Sequence, residues 1–151
     1  MSEKKRRVLS TVLICLCIAT VAFIWGNSML GSKASSNVSN SVLGALDPII
    51  RRFGIVSKDD LWLRKLAHFT EFAALGAELL FLAAVRRRLG LQAASNCAFA
   101  SLLVALTDET IQLASGRNSQ VLDVLLDFSG ALTGILIAWL ICRLIKKRRA
   151  L

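Results

Sequence analysis

Eight side chains that hydrocarbon solvates poorly stand at the ends of three apolar stretches: His68, Glu71, Asp108, Glu109, Gln112, Arg117, Asp123 and Asp127. Ionisable groups at membrane depth are costly, so a cluster of them marks a candidate site. Lys65, His68 and Glu71 are spaced by three and share one side of a helix, over an arc of about 120°. Asp108, Glu109 and Gln112 span about 100° of a second helix, and Asp123 and Asp127 lie within about 60° of each other on a third. His68 has the chemistry of a general base, Glu71 or Glu109 that of its orienting partner, and Arg117 that of an oxyanion stabiliser. Those four are the catalytic candidates. Lys65 and Arg117 could also hold a phosphate or carboxylate, and the ligand-binding set adds Asp108, Gln112, Asp123 and Asp127.

Charge limits this site. Five carboxylates (Glu71, Asp108, Glu109, Asp123, Asp127) face Lys65, His68 and Arg117. Like charges close together in low dielectric do not all ionise, so some must be protonated, paired or neutralised by a cation. A hard divalent ion is compatible with the acids, and His68 widens the choice to transition metals. No recognised metal-ligand spacing occurs, so no metal residue is assigned. The cofactor is left open.

The elements that must position these groups are apolar runs. Of 151 residues, 55% are hydrophobic, more than a soluble core of this size needs, and they are concentrated in long stretches. Helices are expected at about 8–25, 65–86, 92–114 and 122–143. At about 1.5 Å per residue, each can cross a hydrocarbon core about 30 Å thick. The expected fold is an all-α integral membrane bundle of four transmembrane helices, a single domain over 1–151. The first run follows KKRR like a signal peptide. No small-x-small site follows it, however, and Ile14 precedes Cys15 where a lipoprotein signal takes a small residue, so it reads as a retained helix.

The net charge of +9 might suggest nucleic acid, but its placement argues against that partner. Twelve of the 19 basic residues form three clusters beside the runs: Lys4 to Arg7, Arg86 to Arg88, and Arg143 with Lys146 to Arg149. Such clusters mark cytoplasmic ends. They give one consistent topology, with both termini cytoplasmic, a short arginine-rich inner connection and an external loop at about 26–63. Counting along the helices then puts Glu71, Asp108, Glu109 and Asp127 at one level, roughly 7–11 Å below the outer boundary. Within the external loop, Val42, Leu46, Ile49, Ile50 and Phe53 suggest a short interfacial helix that starts or kinks at Asp47-Pro48.

Each feature also has a milder explanation. Asp123, Arg64 and Lys65 could simply cap or snorkel, Arg117 could be a loop charge, and a lone histidine is more often a satisfied interior residue. Gly130, Gly134 and Ala138 form a small-residue stripe, whose plainest role is close helix packing and which also leaves room for a homo-oligomer. Glu78 lies two turns below Glu71, with Ser101 as its candidate partner. The four cysteines lack a CxxC pair and read as small buried hydrophobes. Convergence at one depth gives the polar set its weight.

The segments KLAHFTEFAALG and DETIQLASGRNSQVLDVLLDFSGALTG resemble the VanZ-like family of bacterial membrane proteins. The likeness covers about residues 8–145 and rests on K-x-x-H-F, D-E-x-x-Q, G-R and D-x-x-x-D/N-x-x-G-x-x-x-G. By that likeness Lys65, His68, Phe69, Glu71, Asp108, Glu109, Gln112, Arg117, Asp123, Asp127, Gly130 and Gly134 are the motif positions. Many members carry Asn in place of Asp127 and an aromatic residue in place of Glu71. The family's namesake is linked to teicoplanin resistance, which implies a cell-envelope role in the plasma membrane. The leading expectation is an outward-facing pocket that binds or modifies an envelope component, with a lipid or cell-wall precursor as ligand. A hydrolase or transferase acting on a lipid-linked substrate, and a small proton-coupled transport module, are the alternatives; whether any reaction is catalysed stays open.

Overall fold

The computed structural model describes residues 2–29, 60–116 and 120–148. They form four helices: α1 (Glu3–Met29), α2 (Asp60–Val85), α3 (Leu91–Ala114) and α4 (Val121–Arg148). Each is long and apolar enough to cross a membrane. No strand occurs among the described residues. The interfacial helix expected at 42–53 and Arg117 lie outside them.

All four helices run past at least one end expected from hydropathy, because polar residues that end an apolar run need not end a helix. At the start of α1, Glu3 pairs with Arg6 and Arg7, one turn on, the spacing that supports a solvated first turn. At the far end of α4, Arg143 lies over the Trp139 ring at 3.9 Å. Basic side chains there also complement the negative pole of the helix.

α2 stops in a turn closed by bonds from Arg87 N to Ala84 O and from Arg88 N to Ala83 O. That pattern requires a left-handed residue, and Arg87 takes it, with φ of 60°. The short connection leaves α3 antiparallel to α2.

The buried residues form an inner seam. Ile24, Phe72, Leu75, Ala105 and Ala131 make one cluster, and Leu80, Cys97, Ile135 and Ala138 the next along the bundle. The outer surface is apolar, with Val12, Phe23, Phe99, Leu125 and Leu136 all exposed. Such a surface suits hydrocarbon and would be an aggregation liability in water. All four cysteines are free, with Cys17 and Cys97 buried.

α2 and α4 pack most closely, because three glycines remove the side chains between them. A Cβ on Gly130 would overlap the Phe69 carbonyl oxygen, one on Gly134 that of Ala73, and one on Gly76 that of Ala131. The first two glycines belong to α4 and the third to α2, so the backbones interlock from both sides. The small-residue stripe is therefore occupied by a helix of its own chain, which removes it as an oligomer contact. Gly76, outside the small-residue stripe of α4, completes the interlock.

Candidate functional site

The glycine interlock sets the geometry of the polar cluster. Gly130 lets α4 reach the backbone at Phe69, so Asp127, one turn up α4, comes beside His68 of α2. The His68 Nδ1 atom lies 3.7 Å from Asp108 Oδ2 and 4.0 Å from Asp127 Oδ1. Asp108 arrives from α3, whose stripe Cys97, Ser101, Ala105, Asp108 and Gln112 is buried at helical spacing. Three helices thus deliver one residue each to one point.

The surroundings differ in wetness. Asp108 is 0% and Asp127 1% exposed, and Glu109 and Gln112 are also buried. Gln112 Nε2 donates to Asp108 Oδ2 at 2.8 Å. Asp108 Oδ1 and Asp127 Oδ2 are buried and accept no hydrogen bond among the described residues. Unsatisfied buried carboxylate oxygens are expensive and call for an explanation.

Nearer the helix ends, Lys65 Nζ donates to Asp123 Oδ1 at 2.7 Å. Both are partly exposed, so the pair is a rim contact. We expect a double-mutant cycle over Lys65→Ala and Asp123→Ala to give a coupling of about 1 kcal/mol, reduced by salt. A coupling that salt leaves unchanged would place the pair in a drier setting than this.

α1 enters the site in a way its sequence hardly signals. Asn27 Nδ2 donates to Glu71 Oε1 at 3.5 Å. Ser115 Oγ, at the end of α3, donates to Ser28 O at 3.0 Å. Gly26, Asn27 and Ser28, expected in the external loop, belong to the last turn of α1. Deeper in the bundle, Thr20 Oγ1 donates to Glu78 Oε1 at 3.0 Å. Ser101 donates instead to the Cys97 carbonyl, which corrects the expected Glu78 partner: the hydroxyl comes from α1. A serine inside a helix can satisfy itself locally by sharing the carbonyl four residues back.

One turn below Glu71 and Asp108 begins an apolar groove of about 320 Å³, open to the surface, along α1, α2 and α3. Val21 and Trp25 of α1, Leu75 and Leu79 of α2, and Val104 of α3 line it.

Of the sequence-derived site residues, His68, Asp108, Gln112 and Asp127 meet directly. Lys65 and Asp123 form the rim pair, and Glu71 faces α1. Glu109 is buried one residue beyond Asp108, and Arg117 lies outside the described residues. The described ones all stand at the end of the bundle where α1 and α3 finish and α2 and α4 begin. The arginine turn is at the opposite end.

The sequence model of the VanZ/LLP1 family matches residues 8–143. No curated protein and no solved structure matches the chain.

Proposed function

The chain belongs to the VanZ/LLP1 family, and from that premise we propose that it is a multi-pass plasma-membrane protein whose polar pocket binds or modifies a cell-envelope component. The observation that carries this reading is the meeting of half-buried His68 with buried Asp108 and Asp127 at one end of the bundle. Charges at such depth are retained where they have a task. The distribution of basic residues supports a cytoplasmic position for both termini, and hence an outward-facing pocket.

The groove one turn deeper favours a component with an apolar tail. A lipid-borne headgroup would meet the polar residues while its chain lies against Val21, Trp25 and Leu75. Through that ligand the protein would contribute to glycopeptide tolerance, teicoplanin included. A deletion strain should become more susceptible to teicoplanin, and the wild-type gene should restore tolerance. Unchanged glycopeptide and detergent susceptibility after deletion would refute the envelope role.

A membrane-embedded hydrolase or transferase is the second reading, favoured by the approach of His68 to Asp108. Replacing His68 with Gln separates the cases. A structural histidine would lower abundance, whereas a catalytic one would abolish the phenotype at normal abundance.

A further inference from the structure

We propose that His68, Asp108 and Asp127 form a binding site for one divalent transition-metal ion. The inference rests on reading this cluster as a ligand pocket, and it names what would hold an anionic group there.

Geometry is the first argument. One donor atom from each of the three residues lies within 4.8 Å of the other two. A tetrahedral shell with bonds of about 2.1 Å spaces its donors roughly 3.4 Å apart. The 3.7 and 4.0 Å separations from His68 Nδ1 therefore need only small side-chain rotations to close on an ion.

The unsatisfied oxygens are the second and independent argument. Asp108 Oδ1 and Asp127 Oδ2 sit in side chains that are almost wholly buried, without a hydrogen bond among the described residues. A neutral imidazole and two carboxylates sum to two negative charges, which one divalent cation cancels. The Lys65 ammonium is engaged at Asp123.

Donor chemistry selects the class of ion. Magnesium and calcium prefer oxygen-only shells, whereas imidazole with carboxylates suits manganese, iron, cobalt or zinc. Gln112 holds one Asp108 oxygen and so fixes the plane of that carboxylate, as outer-sphere partners of metal ligands do. Three protein donors leave a position for water or for an oxyanion of the envelope component. No local spacing announces the site because each donor comes from a different helix.

The test is Co²⁺ titration of the full-length protein in detergent micelles, stripped with chelator and read by visible d–d absorption. One equivalent per chain should saturate the band. His68→Gln and Asp127→Asn should each weaken Co²⁺ binding by at least ~10-fold, the loss that even outer-sphere changes bring. Glu78→Gln, at a half-buried carboxylate outside the set, should leave it unchanged. Circular dichroism checks that each variant is folded, and either variant suffices if the other fails to fold.

A wild-type protein with no saturable band, or equal affinity in all variants, overturns the metal. If tolerance is still restored in that case, the pocket reading survives without it. Saturable Co²⁺ binding in a protein whose deletion leaves susceptibility unchanged would do the reverse, keeping the metal and removing the envelope role.

Discussion

Gly134→Ala should destabilise the bundle by about 1–3 kcal/mol, the usual cost of overpacking, although alanine is the better helix former. The new methyl would overlap the carbonyl oxygen of Ala73. That neighbour is backbone, so no rotamer change relieves the overlap, and α2 and α4 must move apart. Separation would also draw His68 away from Asp127, so Gly134→Leu should abolish both the fold and any ligand binding. Gly26→Ala is the internal control. It sits near the end of α1 with nothing within 4 Å of the added Cβ, and it should be neutral or stabilising by up to ~1 kcal/mol. Denaturation by SDS in micelles, followed by circular dichroism, measures both. Equal stability of the two variants would mean that α2 and α4 are not interlocked at Gly134.

The second large effect concerns Asp108→Asn, where stability and function should move in opposite directions. The asparagine keeps the size of the side chain and an oxygen to accept from Gln112, but removes a carboxylate that is 0% exposed. Asp108 and Asp127 are carboxylates buried side by side, and neutralising one of two such groups removes their mutual repulsion. In chelator, the variant should therefore resist SDS at least as well as the wild type. Its ability to restore glycopeptide tolerance should fall to that of the deletion strain at equal abundance. Cobalt at a hundred times its dissociation constant should add about 2.7 kcal/mol to the wild type and much less to the variant. A variant that loses abundance and activity together would make Asp108 a structural residue.

How much of this was legible in the sequence depends on the kind of interaction. Four long apolar runs are a one-dimensional signal, and the helices stand where hydropathy puts them. Periodicity put Gly130 and Gly134 on one face of α4, and Asp108 and Gln112 on one face of α3. It could not say which neighbour each face meets. That is why the glycine stripe left room for a second copy of the chain, whereas α2 fills it with the help of Gly76. It is also why Glu78 was assigned to Ser101, a residue at the right depth on the wrong helix. The contribution of α1 was hidden for a different reason. Asn27 and Ser28 follow the apolar run, and their bonds to α2 and α3 are not visible in a hydropathy pattern.

The way α1 is attached has a consequence for what can reach the interior. Only Cys17, Ile24 and Ser28 of this helix are buried, and Thr20, Asn27 and Ser28 supply its hydrogen bonds to Glu78, Glu71 and Ser115. In a bilayer, lifting such a helix exposes apolar surface that acyl chains solvate as well as leucine does, so the loss is mainly the polar bonds, roughly 0.6 kcal/mol each on average. The polar bonds of α1, rather than its apolar contacts, therefore decide how firmly it covers this flank of α2 and α3.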